Sequence, residues 1–145
     1  MIDKYFEDYE VREEFSKEFI TLWDGWLTRK NFHKLNEVTQ AEWQRFNELL
    51  KELFKQFEIY KVNLNDNITQ KVEKVEEIID SYEVSMNKGE FTFTKLIIPE
   101  LEAVYTEGWD YTWILWHKNN SAVESFKPLV TKSKLFSFND NKKET

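Results

Sequence analysis

Hydrophobic positions in the first half of the chain recur every three or four residues, which is the spacing of one face of an α-helix. The first stripe consists of Val11, Phe15, Phe19, Leu22, Trp23 and Trp26. The second consists of Trp43, Phe46, Leu50, Leu53 and Phe57. The third consists of Ile68, Val72, Val75, Ile79 and Tyr82. These stripes predict three amphipathic helices, and Thr39 with Glu42 forms a capping box at the start of the second.

The hydrophobic period changes to two near residue 89. Phe91 and Phe93 alternate with Thr92 and Thr94, and similar alternation continues to residue 118. This pattern predicts three strands, with a hairpin turn at Glu107-Gly108. A fourth helix then begins near Ser121, and residues 135–138 add a short last strand.

Together these elements predict a single α+β domain over residues 1–145. It has a helical half (1–88), a sheet-containing half (89–138) and a frayed tail (139–145). The predicted order is ααα–βββ–α–β, with the N-terminal helices packed on one face of a small antiparallel sheet.

Residues 109–118, WDYTWILWHK, form the most aromatic of the predicted strands. One face carries only large side chains apart from a terminal histidine; it comprises Trp109, Tyr111, Trp113, Leu115 and His117. We expect this face to contact the helices. Ile114 and Trp116 lie on the other face, so both faces are partly covered and the strand is predicted to be central. Trp116 is either an exposed anchor for a partner or a packed side chain.

Composition narrows the function classes. The chain has 20 basic and 27 acidic residues, a net charge of −7 and no cysteine. Cysteine-dependent metal sites, disulfides and thiol nucleophiles are therefore excluded. An acidic surface repels phosphate, which argues against nucleic-acid binding and favours a basic protein partner. Since no apolar leader or membrane-length apolar run is visible, we expect a soluble, cytoplasmic protein without membrane contact.

Candidate binding residues lie around the predicted hairpin and on the acidic N-terminal stretch. The first set is Glu102, Glu107, Asp110, Trp116 and His117, and the second is Asp8, Glu10, Glu13 and Glu14. His117 is a potential general base, and Glu107 with Asp110 a potential acid–base pair. His33 and Glu37 have the spacing of two metal ligands, whereas zinc needs three or four. The sequence predicts no catalytic residue, no metal and no cofactor.

Residues 97–138 combine an acidic hairpin, a W-D-Y-T-W strand, a helix and an apolar closing strand. This segment resembles the C-terminal portion of small acidic bacterial proteins, some of which are immunity partners of polymorphic toxins. The resemblance implies a role in binding another protein. It assigns no functional residues.

The sequence therefore favours a small, acidic, non-enzymatic binding protein. The most specific version of this prediction is an immunity protein that occludes the active site of a basic toxin. One alternative is a phage-type inhibitor or nucleic-acid mimic. Another is a small-ligand binder or enzyme that uses the cleft between sheet and helices. The sequence leaves open whether the protein is a monomer or a homodimer.

Overall fold

A computed structural model describes residues 1–139. The strands are β1 (Phe6–Glu7), β2 (Glu10–Val11), β3 (Ser16–Thr21), β4 (Tyr60–Asn63), β5 (Ile68–Lys71), β6 (Lys95–Ile98), β7 (Ala103–Glu107), β8 (Thr112–His117) and β9 (Phe136–Phe138). The helices are α1 (Ile2–Tyr5), α2 (Gln40–Gln56), α3 (Tyr82–Met86) and α4 (Asn120–Lys132). Short 3₁₀ segments cover Arg29–Asn36, Val75–Glu77, Glu90–Thr92 and Pro99–Leu101.

Seven of these strands form one antiparallel sheet in the order β5–β4–β6–β7–β8–β3–β9. The two-residue strands β1 and β2 form a separate hairpin. The predicted set of N-terminal helices on a small sheet is therefore wrong. Five of the strands, β1 to β5, lie within residues 1–88, the part that was predicted to be helical.

The first predicted helix is the clearest error. Phe15 and Phe19 are four residues apart, and because four is an even number, a strand also places them on one face. Residues 19–22 are all buried. β3 lies between β8 and β9, and other side chains cover both of its faces. Burial on both faces removes the alternation that would have marked a strand.

The third predicted helix is also wrong, because the four-residue spacing of Ile68 and Val72 fits a strand as well as a helix. Its residues form β5, the 3₁₀ segment Val75–Glu77 and the start of α3. Tyr60 to Lys71 is a hairpin in which Asn67 has a left-handed φ of 54°. Phe91 lies in a 3₁₀ segment rather than a strand, and β6 begins at Lys95.

Other predictions are confirmed. Helix α2 begins at the Thr39 capping box, in which Thr39 Oγ1 accepts from the Glu42 backbone N–H at 3.1 Å. β7 and β8 form the predicted hairpin, and β8 lies in the interior of the sheet. Helix α4 and strand β9 are present, although Asn119 rather than Ser121 caps α4. The predicted frayed tail begins at Asn139, whose side-chain amide donates to Glu18 Oε1 at 3.2 Å. The rest of that tail, residues 140–145, lies outside the described residues.

The sheet has two different faces. One packs against α2 and α4 and forms the main core, in which Ile20, Leu49, Leu53, Tyr105 and Leu115 are fully buried. The opposite face has a smaller core, which the N-terminal segment covers with Tyr5, Phe6 and Phe15. Phe19 and Ile114 lie on this second face but outside the smaller core.

A substitution of Tyr105 tests how the main core is packed. Its ring stacks on Trp113 at a centroid distance of 4.7 Å, and burial raises the pKa of its hydroxyl well above the usual value. That hydroxyl has no hydrogen-bond partner within residues 1–139. Because an unsatisfied buried hydroxyl is destabilising, we expect Tyr105→Phe to raise the free energy of unfolding by about 1 kcal/mol in urea denaturation.

Tyr82→Phe is the matched control, because the Tyr82 hydroxyl lies 3.5 Å from that of Tyr111. We expect no gain in stability from that change. A loss of stability in Tyr105→Phe would contradict the assignment of an unsatisfied hydroxyl.

Candidate functional site

The hairpin turn between β7 and β8, residues 108–111, has an unusual backbone. Asp110 and Tyr111 have positive φ values of 56° and 57°, a conformation that costs a non-glycine residue roughly 1–2 kcal/mol. The Gly108 N–H donates to the Thr112 carbonyl at 2.9 Å, and a Cβ on Gly108 would lie 2.9 Å from the same oxygen. The turn therefore requires glycine at 108, and it stores backbone strain of the kind found at binding sites.

Trp109 lies in this turn, and 59% of it is exposed. Its ring meets the edge of Phe93 at a centroid distance of 4.7 Å. Phe32 and Trp26 are also unusually exposed, at 52% and 43%. We call the following residues the Trp109 surface, because they line the two recesses beside the turn: Trp26, Phe32, Met86, Phe93 and Trp109.

The first recess, here called the aromatic recess, has a volume of about 310 Å³. Its floor is formed by β3 and β8 side chains on the sheet face away from α2 and α4. Its walls come from the segment after β3 and from the hairpin turn. The aromatic residues that line it are Phe19, Trp23, Trp26, Phe32 and Trp109.

Trp26 is held in place by other rings. It packs edge-on against Phe19 at 4.6 Å and against Phe138 of β9 at 4.9 Å. Such edge contacts stabilise aromatic pairs beyond the area that they bury. The wall of the aromatic recess is therefore anchored to two strands of the sheet.

The second recess, of about 260 Å³, lies on the other side of Trp109, above a buried ionic cluster. In this cluster the Lys88 ammonium donates to Glu107 Oε1 at 2.9 Å, to Thr94 Oγ1 at 3.0 Å and to Asp80 Oδ2 at 2.5 Å. The Thr94 N–H also donates to Glu107 Oε1 at 2.9 Å. The cluster ties the segment 80–94 to the base of the hairpin.

The charges of this cluster favour a positional role. Burial lowers the pKa of Lys88, but the hydrogen bonds to Asp80 and Glu107 outweigh burial, so its pKa is raised overall. Its raised pKa keeps Lys88 protonated at neutral pH, which is the state that pairs with the Asp80 and Glu107 carboxylates. Burial and the hydroxyl of Tyr82 likewise raise the pKa of Tyr111 to about 12.

The structure separates the carboxylates predicted around the hairpin. Glu107 is buried in the Lys88 cluster, so it is not available to a partner. Asp110 is exposed in the turn and lines both recesses. Glu102 lies at the other end of β7, with a left-handed φ of 48° and its carboxylate 3.9 Å from Lys4.

The side chains of Trp116 and His117 pack within the fold and do not form an exposed site together. The Trp116 indole N–H donates to Thr106 Oγ1 at 2.9 Å, and the ring is half-buried against the smaller core. His117 points to the other face of the sheet, is buried, and places Nδ1 3.0 Å from the Asn119 carbonyl at the start of α4. Because they face opposite sides of the sheet, they cannot line one cleft.

The predicted N-terminal acids line neither of the two recesses beside the hairpin turn. Asp8 and Glu10 belong to the β1–β2 hairpin and line a groove of about 870 Å³, together with Lys61 and Lys95. Burial lowers the pKa of Lys95 there. Glu13 and Glu14 are exposed next to Arg12; a backbone hydrogen bond and the Arg12 charge lower the pKa of Glu14. Neighbouring cations thus offset part of this acidic stretch.

Sequence reasoning missed Trp109, Trp26 and Phe32 as surface residues. Trp109 was placed on the helix-facing side of the strand, whereas β8 begins only at Thr112. Gly108 and Asp110, on either side of Trp109, are typical turn residues. That signal could have placed Trp109 in the turn, but nothing in the pattern predicted Trp26 and Phe32 beside it.

Lys88→Met tests the buried ionic cluster. The Lys88 and Glu107 side chains are only 11% and 9% exposed, so removing the ammonium leaves a buried carboxylate unpaired. We expect a loss of about 3 kcal/mol in the free energy of unfolding at pH 7. Since the folded-state pKa of Lys88 is raised, its contribution is complete below the unfolded pKa of about 10.4 and is lost as pH rises through the folded value.

The matched control is Lys51→Met, which removes an exposed ion pair with Glu48. We expect it to change stability by less than about 1 kcal/mol. Equal effects of the two substitutions would contradict the structural role of the Lys88 cluster.

Within residues 1–139, no helix is long and apolar enough to cross a membrane. The same residues contain no group of three or more His, Cys, Asp or Glu side chains suited to a metal ion. No protein-family model matches the sequence, and no curated protein or solved structure is significantly similar to it. Function is therefore inferred from the geometry of the Trp109 surface and from the sequence.

Proposed function

We propose that this chain is a binding protein that docks its Trp109 surface onto a basic partner protein. The observation that carries this proposal is the indole of Trp109, exposed in a strained hairpin turn between two recesses. Exposed groups of large apolar side chains are uncommon on soluble proteins and typically mark interaction sites. Tryptophan is also among the residues that contribute most binding energy at interfaces.

The turn supplies the rigidity that such an anchor needs. Its left-handed residues fix the backbone, Phe93 contacts the Trp109 ring, and the Lys88 cluster holds the base of the hairpin. A side chain that is already ordered loses little conformational entropy when it binds. This preorganisation supports binding rather than a role in the core.

Charge supports the choice of a basic partner. The net charge of −7 attracts positively charged surfaces over distances longer than a contact, which speeds their encounter. Asp110 adds a carboxylate directly beside Trp109. In its sharper form the proposal is that the protein neutralises a basic toxin by covering the toxin's active site, as an immunity protein does.

Trp109→Ala is the direct test. Affinity capture from source cells, with the wild-type chain as bait, would supply candidate partners, which are then purified and titrated by calorimetry. We expect Trp109→Ala to weaken binding by about 2 kcal/mol, or roughly 30-fold, because it removes the central anchor. If the partner is toxic, wild type restores growth on co-expression and the variant does so poorly.

Tyr9→Ala is the matched control, since Tyr9 is 70% exposed on the other hairpin turn with a φ of 68°. We expect it to bind like the wild type. The proposal is wrong if Trp109→Ala and Tyr9→Ala bind the partner equally well, or if binding shows no dependence on salt.

A further inference from the structure

The aromatic recess carries charge of one sign. Asp110 is the one charged side chain among the described residues that line it. Its carboxylate has no hydrogen bond or ion pair within residues 1–139. The other polar side chains on the floor are Thr21 and Thr112, and both hydroxyls donate to backbone carbonyls, those of Trp23 and Asp110.

The basic side chains of the neighbouring segments do not line the aromatic recess. Arg29, Lys30 and Lys34 belong to the same 3₁₀ segment as Phe32, yet none of them lines the recess. The ammonium of Lys88 lies in the second recess and is held by Asp80 and Glu107. Among residues 1–139, no cationic side chain therefore lines the aromatic recess.

We propose that the aromatic recess binds an arginine side chain of the partner protein, with the guanidinium stacked on the aromatic walls and paired with Asp110. This inference rests on the proposed function and names the group that the surface recognises. Aromatic faces attract cations through the ring quadrupole. Arginine suits the recess better than lysine because its planar guanidinium stacks on rings and pairs with a carboxylate in the same plane.

The dimensions agree with this occupant. A volume of about 310 Å³ is large enough to hold one arginine side chain, and the recess is open to solvent beside Trp109. The aliphatic part of arginine would contact Ile114 and Leu27 of the lining while the guanidinium reaches Asp110. An exposed Asp110 can approach a bound cation without a change of fold.

The experiment uses the full chain and short peptides, so it does not depend on the identity of the partner. A blocked pentapeptide with central arginine, Ac-Gly-Gly-Arg-Gly-Gly-NH₂, is titrated at constant ionic strength while the indole N–H signals are followed by NMR. Trp109→Phe assigns the Trp109 signal by its disappearance. Matched peptides carry citrulline, lysine or norleucine at the central position.

We expect the arginine peptide to shift the Trp109 signal saturably. The citrulline peptide, which has the same shape without the charge, is expected to bind about fivefold more weakly. Asp110→Asn should weaken the arginine peptide by a similar factor; asparagine tolerates the left-handed backbone, so the turn is kept. Glu102→Gln is the matched control, because Glu102 is another exposed left-handed acid, and it should bind like the wild type.

Three outcomes would overturn the inference: no saturable shift with the arginine peptide, equal binding of arginine and citrulline, or an unchanged affinity in Asp110→Asn. The inference also fails if the norleucine peptide binds as well as the arginine peptide, because the recess would then take apolar side chains. It fails likewise if the lysine peptide binds more tightly than the arginine peptide. All of these leave the proposed function intact. That function instead fails if Trp109→Ala leaves partner affinity unchanged.

Discussion

The pairing of β3 with β8 is the contact on which the rest of the structure depends. It joins Ser16 to His117 and Thr21 to Thr112, bringing together segments that are far apart in the sequence. Closing such a long loop costs conformational entropy. Burial of Ile20 and Leu115, both fully inaccessible, offsets that cost on the helix side of the sheet.

The same pairing builds the aromatic recess. β3 leads directly into the segment that carries Trp23 and Trp26, and β8 follows the turn that carries Trp109. Because β3 and β8 are neighbours, these two loops leave the sheet side by side. Phe19 and Ile114, which are partners in the register, form the floor between them.

The buried ionic cluster ties the hairpin to the segment 80–94. Lys88, Glu107, Asp80 and Thr94 satisfy one another and fix the base of the hairpin. A buried ion pair of this kind adds little net stability over apolar packing, but breaking it is strongly destabilising. Its value here lies in holding the turn, and therefore Trp109, in one place.

The amino-acid sequence by itself determined the elements that depend on residues close together in the chain. The Thr39 capping box and the stripe from Trp43 to Leu53 specify α2, and Gly108 marks the hairpin turn. Only the tertiary structure decided that residues 16–21 form a strand, because an even spacing of hydrophobic residues fits a strand as well as a helix. Burial of both faces of β3 then removed the alternation that separates the two. Tertiary structure also decided that Glu107 is buried while Trp109 is exposed, because that depends on Lys88 and Phe93, which reach the hairpin from other parts of the chain.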